Sequence, residues 1–205
     1  MNIEVKNSVK AIEYSKSMKV LEKRVKDVFE GKKKELIWIL EHKDVYTAGT
    51  NFKEHEILDK KIKIIKTNRG GKVTYHGPGQ KIVYFVLNLN KREKDIRKLL
   101  NKVESCIVEI LKEYKIYSFA DKNNIGIWVI EKNSAKKIAA IGIRVKKWVA
   151  YHGFALNINT DLKKYNAIIP CGIKDKKVTN LSSISKNKFK NINKVIAKKF
   201  LNTFL

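Results

Sequence analysis

The chain has 205 residues and little of several things, and each shortage narrows what it can be. It has two cysteines, Cys106 and Cys171, too few for a disulfide framework. Its start, MNIEVKNSVKAIEYSKSM, has no apolar core and carries Glu4 and Glu13, so no secretory or transit leader is expected. Both thiols are therefore expected reduced, in a cytoplasmic protein. No run of about 18 apolar residues occurs, so no membrane-spanning helix is expected. There is no linker, internal repeat or low-complexity block, and 1–205 reads as a single domain. Acidic residues are scarce: 20 Asp and Glu against 45 Lys and Arg leave a net charge of +25. Such an excess fits an anionic partner, or a lysine-rich coding bias that the abundance of Lys, Asn and Ile also supports. No RNP-like aromatic motif or KH loop accompanies it, so a nucleic-acid-binding reading rests on charge alone. No His/Cys/Asp cluster has metal-ligand spacing, and no metal is expected.

The ten glycines and two prolines are unevenly spent. Gly70, Gly71, Gly77, Gly79 and Pro78 all fall within RGGKVTYHGPGQ, Arg69 to Gln80. Glycine lets a ligand or a second strand approach the main chain closely. The stretch is neither a Walker loop nor GxGxxG. It reads as a polar loop feeding an apolar strand, KIVYFVLNLN. Before it, residues 9–30 read as an amphipathic helix with Ile12, Val20, Val25, Val28 and Phe29 apolar and Gly31 as its stop. ELIWILE reads as a buried strand, HKDVYTAGTN as a loop, and Ile62, Ile64 and Ile65 as a short strand. Asp95–Tyr114 is the clearest helix, with Ile96, Leu99, Leu100, Val103, Cys106, Ile107, Ile110 and Leu111 at three- and four-residue steps, so Cys106 is expected in the core. Strands are expected at 124–131, 137–145 and 148–157, with Lys146-Lys147 at a turn, and a helix from about Asn191. Helices alternating with strands, some strands adjacent, argue for an α/β (α+β) fold: a mixed β-sheet flanked by helices.

RGGKVTYHGPGQ, KIAAIGIRV, YHGFALN and PCGI, in that order, with ELIWILEHKDVYTAG and VTNL, resemble the octanoyltransferase family of lipoate synthesis over roughly 35–185. The resemblance implies the fold of the biotin and lipoate protein ligase catalytic domain and an acyltransferase activity. It implies Cys171 as the nucleophile that carries the acyl group as a thioester, and Lys137, which opens KIAAIG, as its proton-handling partner. Lys136 is adjacent, but strand alternation would point it to the opposite face. Implied substrate contacts are Arg69, Gly70, Gly71, Lys72, Val73, Thr74, Tyr75 and His76, then Ala140, Ile141 and Gly142, then Gly153, Phe154 and Ala155. His76 is read as structural or carbonyl-positioning, and His152 as a satisfied core residue. The implied donor is acyl carrier protein, an acidic partner. The implied acceptors are lipoyl domains of 2-oxoacid dehydrogenase complexes and the glycine cleavage H protein. A thioester-to-amide transfer runs downhill, so no ATP is expected, and no membrane or nucleic-acid partner; the protein is expected to be a monomer. The competing reading is an ATP-dependent ligase of the same fold. Two positions depart from the family: Lys43 stands where proline is common, and Asn180 where serine is usual.

Overall fold

The computed structural model describes residues 2–170 and 177–205. In chain order its elements are β1 (Ile3–Asn7), α1 (Tyr14–Phe29), β2 (Glu35–Leu40), β3 (Val45–Ala48), β4 (Ile64–Lys66), β5 (Val73–His76) and β6 (Gln80–Asn88). There follow α2 (Ile96–Lys112), β7 (Phe119–Ala120), β8 (Ile127–Glu131), β9 (Ser134–Lys146), β10 (Val149–Asn157), α3 (Leu181–Ile184) and α4 (Ile192–Phe204). The main sheet is mixed and runs β1-β2-β6-β10-β9-β8-β7, with only the β1–β2 pairing parallel. A second sheet of three strands, β4-β3-β5, lies beside it. Among the described residues no helix is long and apolar enough to cross a membrane.

Strand β6 shows why the main sheet is buried on both faces. Val83, Phe85 and Leu87 join a core with α2 and α4, while Ile82, Tyr84 and Val86 join one with α1. Helix α2 is started by Asp95, whose carboxylate accepts the Arg97 and Lys98 amides at 2.8 and 3.0 Å. Its Leu99, Val103, Cys106, Ile107, Ile110 and Leu111 are buried, as the periodicity predicts, and Ile192, Ile196, Phe200 and Phe204 of α4 pack in the same cluster. Each such side chain is worth about 1.5–3 kcal/mol against exposure.

Several elements differ from the sequence reading. Helix α1 begins at Tyr14, and its buried stripe is Tyr14, Ser17, Leu21, Val25 and Val28; Val20 and Phe29 are exposed. The apolar residues alone suggested a phase about one residue off, because Tyr14 and Ser17 carry hydroxyls. Ile96 is likewise exposed, at the open edge of α2. Residues 3–7 form β1, the loop after β2 contains β3, and the glycine-rich stretch contains β5. All three are short strands whose pairing partners lie far away in the chain. The turns at Lys132-Asn133 and Lys147-Trp148 have both residues at positive φ, 50° and 59° in each pair. That is the type I′ geometry that suits a twisted hairpin, reached here without the usual glycine.

Candidate active site

A cavity of about 590 Å³ opens beside β6, β9 and β10, under a strap formed by residues 69–74. The strap crosses β9 closely enough for the Gly70 amide to donate to the Ile143 carbonyl at 3.3 Å. A Cβ on Gly70 would stand 2.9 Å from that oxygen, and one on Gly142 would stand 3.1 Å from the Gly70 oxygen. The crossing therefore needs glycine on both sides. Arg69 is buried and holds the strap to β3: its Nη2 donates to the carbonyl and hydroxyl of Thr47, both at 2.8 Å. Lys72 pairs at 2.9 Å with the fully buried Glu56.

Gly71, Lys72, Val73, Thr74 and His76 line the cavity with Arg69 and Gly70, and so do the expected residues of β9 and β10, Ala140, Ile141, Gly142, Gly153, Phe154 and Ala155. Tyr75 corrects the expectation. It turns to the other side of β5, packs with Tyr46 and Tyr165, and donates its hydroxyl to Asp44 at 2.6 Å. Period-two alternation within β5 is the cause, since Thr74 and His76 take the cavity side.

Lys137 also lines the cavity and is 5% exposed. Its Nζ donates to the Ile125 carbonyl at 2.8 Å and lies 4.7 Å from the Trp128 ring centre. Lys136, next to it, points away and pairs with Glu131 at 3.2 Å. The other expected catalytic residue, Cys171, lies outside the described residues, as do Gly172 and Ile173. Both described flanks of that segment are close to Lys137. Pro170 and Lys137 line one small adjoining cavity, and Lys137 donates its amide to the Lys177 carbonyl at 3.0 Å. Thr179 then donates its amide to the Lys137 carbonyl at 2.9 Å. Upstream, Ile169 is tied to the Glu56 carbonyl at 2.7 Å. The other cysteine, Cys106, is buried under α4, and desolvation pushes its thiol up to about 11.

Sequence reasoning missed the wall behind the strap. His42 Nδ1–H donates to the Ile12 carbonyl at 2.8 Å, and its Nε2 accepts from the Tyr84 hydroxyl at 2.7 Å. His76 donates through Nδ1 to Gln80 Oε1 at 2.7 Å. Gln80 in turn donates to Asn157 Oδ1 at 2.8 Å, and Asn157 to the Thr179 carbonyl at 3.0 Å, so a buried chain of hydrogen bonds runs from the wall to the segment beside Lys137. Tyr14 stacks on His76 at 6.3 Å. Burial, reinforced at His76 and His152 by nearby cationic groups including Arg69, pushes His42 down to about 4 and His76 and His152 to about 3. All three imidazoles are neutral near pH 7. No local motif marks Tyr14 or Tyr84, which enter by folding alone. Among the described residues no three His, Cys, Asp or Glu side chains converge as a metal site would require.

A family model described as the lipoyl protein ligase A/B catalytic domain matches residues 13–204. The chain belongs to that family. It is 43% identical over 196 residues to an octanoyltransferase of Ehrlichia chaffeensis, covering 94% of this chain and 92% of that one. It is 42% identical to an octanoyltransferase of Anaplasma phagocytophilum over the whole of both chains. Among solved structures, a putative lipoate protein ligase from Thermoplasma acidophilum with bound lipoic acid is similar, with a TM-score of 0.73 at 17% identity over 98% of this chain and 84% of that one. A lipoate-protein ligase A bound with ATP gives 0.73 at 16% identity, covering 98% of this chain and 85% of that one. At such identities the structures share the fold, which is the expected mixed sheet flanked by helices. The two departures from the family pattern also have a place in it. The Lys43 amide donates to Ile12 at 3.3 Å, a bond proline could not make. Asn180 caps α3 by accepting the Ser183 amide at 2.9 Å, a task serine performs equally well.

Proposed function

We propose that the chain moves an octanoyl group from acyl carrier protein to a lysine of lipoyl domains, through a thioester on Cys171. Membership of the octanoyltransferases supports the reaction class. The observation that carries the reading is Lys137, a buried lysine on the cavity wall whose backbone is hydrogen-bonded to the segment that returns from Cys171. Beside a thiol, an ammonium favours the thiolate, which is the nucleophile.

In the first half-reaction the Cys171 thiolate attacks the donor's thioester carbonyl. The carrier's thiolate leaves and takes a proton from the Lys137 ammonium. In the second, the acceptor's neutral amine attacks the acyl-enzyme, Cys171 departs as thiolate, and the proton lost by the new amide nitrogen returns to Lys137. Thioester replaces thioester, then amide replaces thioester, so neither ATP nor a metal enters the balance. The net charge of +25 suits an acidic carrier protein, and a reducing cytoplasm keeps Cys171 available. The chain would act as a monomer, since every group in this account comes from one chain. An ATP-dependent ligase would share the fold but would not need Cys171.

The test is intact mass after incubation with octanoyl carrier protein and no ATP. One hydroxylamine-sensitive octanoyl group should appear on wild type and be absent from Cys171→Ala. An unmodified wild type, or transfer that starts only when ATP is added, overturns the reading.

A further inference from the structure

The side chain of Lys137 is placed by an irregularity in the β8–β9 pairing. The register is regular from Glu131–Ser134 to Trp128–Lys137. It then shifts: Ile127 faces Ala139, and Ile138 has no partner in β8. Ile138 and Ala139, though consecutive, both pack in the core with α2 and α4, while Lys137 turns to the cavity. A bulge of this kind re-aims a side chain.

The lysine's stem and tip each meet a feature of β8 or of the turn before it. Gly126 has a φ of 131°, and a Cβ there would stand 3.1 Å from Lys137 Cε and 2.7 Å from the Ala139 carbonyl oxygen. The stem therefore runs where any other residue at 126 would intrude. At the tip, Nζ donates to the Ile125 carbonyl and lies over the Trp128 ring. Trp128 is 1% exposed, and its Nε1–H donates to the Asn124 carbonyl at 2.9 Å. Asp121 braces that turn, accepting the Asn123 amide and the Asn124 side-chain amide, both at 2.8 Å. The indole and the Ile125 carbonyl thus belong to one hydrogen-bonded support. A carbonyl oxygen and an indole face both attract an ammonium.

We propose that Trp128 is a positioning residue for acyl transfer: fixed by the bulge and the 121–126 turn, its ring holds the Lys137 ammonium at the cavity wall. The proposal deepens the acyl-transfer reading and rests on it. Trp128 does not itself line the cavity, so it acts through Lys137. Its loss should slow the acylation step and leave the carrier concentration for half-maximal rate nearly unchanged.

The test is a double-mutant cycle. Single-turnover acylation by octanoyl carrier protein is timed in wild type, Trp128→Leu, Lys137→Ala and the double variant, each checked for folding by circular dichroism. Trp128→Leu should slow acylation about 3- to 30-fold, the worth of an ammonium on a ring face. In the Lys137→Ala background the same change should alter the rate less than about twofold, because no ammonium remains to be held. Trp128→Phe keeps a ring face and should recover most of the loss. A tetrafluorinated tryptophan at position 128 keeps the shape and the N–H but withdraws charge from the ring. It should slow acylation as Trp128→Leu does, and it decides the matter if Trp128→Leu does not fold. Equal losses in both Lys137 backgrounds, or an unchanged rate with the fluorinated ring, overturn the proposal while leaving acyl transfer standing. A wild type that takes up no octanoyl group sinks the acyl-transfer reading, and this role of Trp128 with it.

Discussion

On one face of the main sheet, α2 and α4 cover β6 with Val103, Ile107, Ile196 and Phe200, all fully buried and all apolar. On the other face, α1 covers the strands near Leu36 and Trp38, and beyond it the sheet meets the strap and the cavity. There the buried groups are Arg69, His76, Lys137 and His152. The first face is stabilised by burial of regular, periodic side chains. The second is held by hydrogen bonds from the strap to β3 and from Gln80 to Asn157, and by backbone geometry that departs from the strand norm at His152. A fold can place costly polar groups on one face because the other supplies cooperative packing.

That contrast can be broken from either side. The largest effect is expected at Lys137. Lys137→Ala should lower acyl transfer about 10²–10⁴-fold, the usual worth of a placed proton-transfer group. It should also raise the pH midpoint of iodoacetamide alkylation at Cys171. An unchanged midpoint would remove the electrostatic role even if activity is lost. Lys137→Arg keeps charge but cannot release a proton near neutral pH, so it should retain more of the alkylation profile than of the transfer rate.

Acidification should strain the cavity face next. The folded values of His42, His76 and His152, at about 4, 3 and 3, lie below the ordinary 6.5. Between those limits the unfolded chain binds protons that the folded chain refuses. Stability therefore rises with pH, and is lost as pH falls from about 6.5 toward 4. Each histidine contributes a slope of up to about 1.4 kcal/mol per pH unit. Urea midpoints from pH 7 to 4.5 should fall accordingly, and a flat profile would show that these imidazoles are not held neutral.

On the packed face, Phe200→Ala should cost about 3–5 kcal/mol in urea unfolding, because α4 has little freedom to close the gap. It should move the whole pH profile down without changing its slope, which separates the two faces experimentally. The smallest effect is expected at Cys106. Its buried thiol, pushed up to about 11, should resist alkylation near pH 7 while the protein stays folded, and Cys106→Ala should cost about 1 kcal/mol and leave acyl transfer intact. Labelling of Cys106 at a rate like that of Cys171 would contradict its burial.

Much of the packed face was legible beforehand. The three- and four-residue steps in α2 and α4 and the run ELIWIL report burial directly, because helix and strand geometry repeat within a few residues. The cavity face was legible only through motifs. RGGKVTYHGPGQ and KIAAIG named most of its lining, yet Tyr75 was misassigned, since a loop reading assigns no face and β5 imposes one. His152 read as a satisfied core residue; it is buried, with Nε2 held by Asn68, but Nδ1 has no hydrogen-bond partner among the described residues. Tyr14 and Tyr84 carry no local signal, being an α1 residue and a β6 residue that meet the site only after the sheet has formed.

From its own residues the chain determined a mixed sheet with helices against it, a buried Cys106 and a crowded glycine crossing, because each follows from period, composition or the size of a side chain. Tertiary structure alone decided which residues share the cavity. It set β3 against β5, brought Pro170 and Lys177 to Lys137, and turned His152 onto the face of Tyr84. These pairings join positions distant in sequence, and their free energy comes from closing the whole sheet, so no short window of the chain carries the information.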